Sequence, residues 1–149
     1  MSGVRIKRGG AGLVFGAFGG LCALVVIAYS ASGDPSDFGA FLPLVPLGMI
    51  SASIVAALLV PVFVYSSIFQ AMGVGALSAL LSQIVFAFGM IFLGIASDPA
   101  TMSFGELVDD ILFLILGAWI IAGIPQVILG GIAGAFCYRW LSVEAHTDE

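Results

Sequence analysis

The sequence predicts an all-α integral membrane protein, a four-helix bundle with both termini in the cytoplasm. Of its 149 residues, 61% are hydrophobic and 9% are charged, whereas soluble domains carry roughly 25% charged residues. Four apolar runs are long enough to cross a hydrocarbon core of about 30 Å. Between Arg8 and Arg139 there is no Lys or Arg, and a charge at the bilayer centre costs about 2.5–3.5 kcal/mol.

The four predicted spans lie in a single transmembrane domain, residues 1–149, and cover about 10–30, 44–66, 72–96 and 111–138. The first and third connections contain Asp34-Pro35 and Asp98-Pro99, which favour loops because the residue before proline avoids the helical conformation. The second connection, near residues 67–73, is short and uncharged, so a tight turn is expected there. Residues 139–149 are expected to form a short polar cytoplasmic tail.

The basic residues predict the orientation of the spans in the membrane. All four lie outside the predicted spans, at Arg5, Lys7, Arg8 and Arg139. Because an even number of spans puts both ends on one side, the positive-inside rule predicts that both termini are cytoplasmic, in a cytoplasmic (inner) membrane. Four aromatic residues near predicted boundaries are expected at the membrane interface: Tyr29, Tyr65, Tyr138 and Trp140. In the alternative hypothesis, residues 1–32 are a cleaved signal peptide, which would leave three spans.

Two features recur at an offset of 64 residues: an Asp-Pro pair begins at positions 34 and 98, and a proline occurs at positions 61 and 125. The offset suggests two tandem helical hairpins of the same orientation, as in transporters with parallel repeats. The alternative is coincidence, because loops favour Asp-Pro and membrane helices tolerate proline.

Small residues at four-residue spacing predict close helix packing. The first span has Gly12, Gly16 and Gly20. In the last span, every fourth residue from 118 to 134 is small except the middle one, Gln126; the small ones are Ala118, Ala122, Gly130 and Gly134. Such residues stack on one face and let two backbones approach. The face packs either inside the chain's own bundle or against other membrane helices, in an oligomer or a larger complex.

Two prolines and several polar residues are the other candidates in the spans. Pro61 and Pro125 are expected near the middle of the second and fourth spans, as kinks or as part of a solute path. Gln126 follows Pro125 and is expected to hydrogen-bond local backbone or another helix. The side chains of Ser78, Ser82 and Gln83 are expected to form weak hydrogen bonds between helices.

The sequence offers no residues for several classes of chemistry. No Asp, Glu, Lys, Arg or His falls in the middle of a predicted span, which argues against proton coupling through the membrane. No pattern predicts a catalytic residue, a cofactor site or a set of three or four metal ligands. Four basic residues are too few for a nucleic-acid partner.

These observations predict a non-enzymatic structural or accessory subunit of a membrane complex or homo-oligomer. Its partners would be the lipid bilayer and other membrane helices. The first alternative is an oligomeric small-solute channel or transporter that uses the proline-containing spans. The second is a phage-type protein that permeabilises membranes.

Overall fold

The computed structural model of the protein describes residues 3–30, 42, 44–93 and 103–144. Within these ranges the structure has four α-helices and two short strands: β1 Val4–Ile6, α1 Arg8–Ser30, α2 Leu44–Leu59, α3 Ile68–Phe92, α4 Phe104–Trp140 and β2 Ser142–Glu144. The predicted Asp-Pro loops and residues 145–149 of the predicted tail lie outside the described residues. Of that tail, residues 139–140 belong to α4 and residues 142–144 form β2.

Each of the four helices is long and apolar enough to cross a membrane. The prediction of a multi-pass, helical membrane protein is therefore confirmed. The bounds differ most at the end of α2, described below, and at the start of α4, which lies at Phe104 rather than near residue 111. A capping box explains the earlier start. The Glu106 backbone N–H donates to the Ser103 hydroxyl oxygen at 3.4 Å, and the Ser103 backbone N–H donates to Glu106 Oε2 at 2.7 Å.

The predicted position of Pro61 near the middle of the second span is wrong. The α-helix ends at Leu59, and Pro61 lies in the 3-10 turn Val60–Val62 that follows it. The chain then becomes extended, with Phe63 at φ −90° and ψ 147°. Proline has no N–H to donate, so it fits the first turn of this short helix better than an α-helix interior. Pro61 therefore marks the end of the second span.

The helices form a ring in which each one packs against two others. α1 contacts α2 and α4, and α3 contacts α2 and α4. In the α1–α2 contact, Gly12 lies beside Ala57 and Gly19 lies beside Gly48. Residue numbers rise along α1 as they fall along α2, so the two helices are antiparallel. The 64-residue repeat stays a prediction.

Both described ends of the chain meet at one end of the ring. β1 pairs with β2 in antiparallel register, with Arg5 opposite Val143. The Val4 N–H donates to the Tyr65 carbonyl at 3.1 Å, and the Tyr65 N–H donates to the Val4 carbonyl at 2.9 Å. We call β1, β2 and Tyr65 the end cap. It places residues 3–7 and 141–144 at the same end of the bundle, as an even number of spans requires.

The end cap is continuous with the buried core. Ile6, Tyr65 and Cys137 belong to one cluster of buried apolar side chains, which also includes Ala11 and Ala133. Tyr65 is 1% exposed, and its hydroxyl donates to the Val60 carbonyl at 2.6 Å. The Tyr65 ring therefore packs in the core beside the 3-10 turn and β1. Its place at the membrane interface stays a prediction.

Candidate functional site: a cavity and an unpacked helix segment

The glycines of the first span, which are predicted to pack closely against another helix, contact α2 of the same chain. A Cβ atom built at Gly12 would lie 3.4 Å from the Ser53 carbonyl oxygen, and one at Gly20 would lie 2.7 Å from Met49 Cγ. At Gly16 the added atom would overlap Ser53 Oγ. These glycines let α1 and α2 approach closely, and α2 occupies the face they form.

The glycines predicted in the last span contact α3 in the same way. A Cβ atom at Gly130 would lie 2.7 Å from the Gly75 carbonyl oxygen. One at Gly134 would overlap the Ala71 carbonyl oxygen and lie 3.2 Å from Gly75 Cα. Gly75, which the sequence analysis did not single out, is the α3 residue that both approach. Of the two predicted uses of the small-residue faces, packing inside the chain is the one found at these glycines.

The remaining small residues of α4 lie beside a cavity. Ala122 is 2% exposed, Ala118 is half-buried, and both line a cavity of about 150 Å³ inside the bundle. All four helices contribute to its wall, through residues that include Phe15, Phe18, Cys22, Ala52, Phe86 and Gln126. The spacing of Ala118, Ala122 and Gln126 places all three on the same face of α4. In this part of the helix, small side chains leave a space that no neighbouring helix fills.

Gln126 is the polar group of this cavity whose hydrogen bonding is incomplete. Its side chain is 8% exposed, and Oε1 has no hydrogen-bond partner among the residues that the structure describes. The amide lies within hydrogen-bonding reach of the Cys22 thiol on α1. Leaving a buried acceptor unpaired costs about 1–3 kcal/mol. An unpaired amide oxygen on an apolar cavity wall is therefore suited to accept a hydrogen bond from a small molecule inside it.

The buried serines do not form the predicted hydrogen bonds between helices. Ser82 donates to the Ala79 carbonyl at 2.7 Å, and Ser78 donates to the Val74 carbonyl at 2.8 Å. Each bond lies within α3, because a hydroxyl on a helix can reach the carbonyl three or four residues earlier. Of the polar side chains on the cavity wall, Ser82 already has a partner for its proton.

Pro125 lies inside α4, which continues without interruption to Trp140. It removes one backbone donor opposite the Ile121 carbonyl, and Ile121 lines the cavity beside Gln126. Pro125 and Gln126 are therefore brought to one region of the bundle, whereas Pro61 lies at the end of α2. The wall contains no Asp, Glu, Lys, Arg or His among the described residues.

The first half of α4 differs from the rest of the bundle. No residue of the segment 104–121 is buried by the described chain. Phe113 is 78% exposed and Ile120 is 85% exposed. We call residues 104–121 the α4 arm. The capping box positions the start of the arm.

The arm makes α4 longer than a membrane span requires. α4 has 37 residues, against 25 in α3, its main neighbour. At about 1.5 Å per residue α4 is about 55 Å long, and a typical hydrocarbon core is about 30 Å thick. Such a mismatch is relieved by tilting, by local change in the bilayer or by association with another protein.

Comparisons with protein families, curated proteins and solved structures give no match for this chain.

Proposed function

We propose that this protein is a structural or accessory subunit of a complex in a cytoplasmic membrane, with both termini in the cytoplasm. The observation that carries the proposal is the α4 arm, in which none of residues 104–121 is buried by the residues that the structure describes. The glycine faces do not support it, because α2 and α3 occupy them. The partner is a second membrane helix, from another copy of the chain or from another protein.

The length of the apolar part of α4 supports a protein partner. Glu106, Asp109 and Asp110 occupy its first two turns and suit an aqueous boundary at a helix N-terminus. From Ile111 to Trp140 the helix still spans about 45 Å. Tilting is restricted because the second half of α4 packs closely against α3 through Gly130 and Gly134. Side chains such as Phe113 then face either lipid or another helix, and we assign another membrane helix to them.

The distribution of charge supports the orientation. Arg5 lies in the end cap, Lys7 adjoins it, and Arg139 is in the last turn of α4 at the same end. The acids that start α4 are at its opposite end. By the positive-inside rule, the end cap faces the cytoplasm and the start of α4 faces the other side.

The proposal is tested by the mass of the protein purified in a mild detergent. We expect a complex heavier than one 15.3 kDa chain with its bound detergent. Phe113→Ala should shift the complex towards the single chain. Phe92→Ala is the matched control, since Phe92 is also 78% exposed but lies on α3. A wild-type protein that is a lone monomer would contradict the proposal.

The cavity favours a second candidate function, a channel or transporter for a small uncharged solute. A wall without ionisable groups suits a neutral solute, because an ion there would lose its hydration without compensation. Light scattering from proteoliposomes measures entry of a neutral solute such as glycerol. Faster entry than in protein-free liposomes, lost in Ala122→Phe and kept in Gly117→Ala, is the expected result. Equal rates with and without protein would exclude glycerol permeation.

A further inference from the structure

We propose that the cavity inside the bundle binds a small, neutral, mostly apolar molecule that carries one hydroxyl group, about the size of phenol. The hydroxyl donates its proton to Gln126 Oε1. Among the described residues, the cavity wall shares only Ala118 and Ile121 with the α4 arm, and the proposal does not depend on the accessory-subunit function.

The size of the cavity sets the size of the ligand. Its volume is about 150 Å³, and an apolar protein cavity of about this volume holds one benzene molecule. Phe15, Phe18 and Phe86 on α1 and α3 provide aromatic surface, against which a ring packs edge to face or offset. A single six-membered ring with one or two small substituents therefore matches the cavity in size.

The hydrogen-bonding groups set the polarity of the ligand. Gln126 Oε1 has no partner among the described residues, while its amide is within reach of the Cys22 thiol. The group still to be satisfied is an acceptor, so the ligand must supply a donor. A bare hydrocarbon would leave the buried oxygen unpaired, and the ligand that restores the missing bond is preferred.

The rest of the wall excludes charged and strongly polar ligands. The wall has no ionisable side chain among the residues described, other than the Cys22 thiol. Ser82 already donates to the Ala79 carbonyl at 2.7 Å, so it is a weak partner for a second polar group. A buried water needs two to four polar partners, and the mostly apolar wall provides few. One hydroxyl on an apolar ring matches these groups best.

The test compares two probes that differ only in the hydroxyl group, 4-fluorophenol and fluorobenzene. The protein is held in lipid nanodiscs, and ¹⁹F NMR measures a saturable bound signal against nanodiscs without protein. We expect both probes to bind and 4-fluorophenol to bind about tenfold more tightly, the effect of one buried hydrogen bond. Equal affinities in the wild type would overturn the proposed ligand class.

Two matched variants assign the hydrogen bond. Gln126→Met keeps the length of the side chain and removes its acceptor, so the two probes should bind with equal affinity. Gln83→Met makes the same change in the other glutamine of the cavity wall and should keep the tenfold preference. A preference that survives in Gln126→Met, or is lost in Gln83→Met, would contradict the role of Gln126.

A third variant tests the cavity. Ala122→Phe places a ring in the space and should abolish saturable binding of both probes, with the helical circular dichroism and elution volume as checks of folding. Binding that survives in folded Ala122→Phe would place the probes elsewhere. No saturable signal for either probe in the wild type would overturn the proposal, and the mass of the detergent complex would still decide the accessory-subunit function independently.

Discussion

The two parts of α4 differ in the size of their side chains and in how much of each part is buried. From Ala122 to Cys137, seven residues are buried, and they are Ala, Gly, Gln or Cys. In the arm no residue is buried by the described part of the chain, and large apolar side chains predominate. A membrane gives both parts the same apolar surroundings, so hydrophobicity alone does not decide which part packs. Small size does, because it allows the backbones of α3 and α4 to approach.

The contrast also separates the two ends of the bundle. The packed half leads to the end cap, where β1, β2 and Tyr65 join three separate parts of the chain by backbone hydrogen bonds. The arm leads to a capping box, which involves only Ser103 and Glu106. Changes near the end cap should therefore affect the whole fold, and changes at the start of the arm should stay local.

The largest loss of stability is expected for Gly134→Ala. The new Cβ atom would overlap the Ala71 carbonyl oxygen and lie 2.9 Å from the Ala71 carbonyl carbon. Backbone cannot move aside as a flexible side chain can, so α3 and α4 must separate, at a cost of about 2–3 kcal/mol. Unfolding in mixed detergent micelles, monitored by circular dichroism, measures this loss.

Gly117→Ala is the matched control in the arm. Nothing lies within 4 Å of a Cβ atom built at Gly117. The same substitution should leave the free energy of unfolding unchanged or raise it by up to about 1 kcal/mol, because alanine favours the helix. Equal destabilisation at positions 117 and 134 would refute the distinction between the two parts of α4.

The next largest loss of stability is expected for Tyr65→Phe. It removes the hydroxyl that donates to the Val60 carbonyl at 2.6 Å and leaves that oxygen without this donor. The expected loss is about 1–2 kcal/mol, again measured by unfolding in mixed micelles. Unchanged stability would mean that the end cap does not depend on this hydrogen bond.

The same tyrosine predicts a dependence on pH. Burial, with a smaller effect of nearby Cys137, raises the pKa of Tyr65 from 10.0 to about 12. The folded state therefore holds the phenol proton more tightly than the unfolded state does. This contribution to stability is complete below pH 10 and is lost as the pH rises towards 12. Melting temperatures should fall more between pH 9 and 11.5 in the wild type than in Tyr65→Phe; equal falls would contradict the pKa shift.

The smallest of these losses is expected for Ser103→Ala at the start of the arm. The variant loses the hydroxyl that accepts from the Glu106 N–H, which is worth about 1 kcal/mol at a typical N-cap. Only the first turns of α4 should fray, which hydrogen exchange resolves along the helix. Faster exchange throughout residues 122–137 would show that the arm and the packed part are not independent.

The sequence predicts the spans well because each depends on a local run of apolar residues. It also predicts the packing role of Gly12, Gly16, Gly20, Gly130 and Gly134 from their spacing. It does not say which helix they face, because a small-residue face suits a helix of the same chain and one of a partner equally. The identity of the partner helix depends on contacts that are distant in sequence.

Local sequence patterns do not predict the end cap or the end of α2, because both depend on contacts that are distant in sequence. β1 and β2 have three residues each and lie at opposite ends of the sequence, so neither has a detectable period of its own. The position of Pro61 depends on how Tyr65 packs against the 3-10 turn. Gln126 is different, since its place in a series of small residues already marks it as unusual, although the cavity beside it is visible only in three dimensions.

The most direct test of the central claim, that the two described ends of one chain close its own bundle, is a cross-link between the two strands. Arg5 and Val143 are paired in register, and directly paired positions in antiparallel strands lie within disulfide range. Oxidation of Arg5→Cys/Val143→Cys, with each single variant as a control, should give a disulfide within one chain, seen by mass spectrometry of peptides from the monomer band. Disulfides that form only between two chains, or none at all, would contradict the closed bundle.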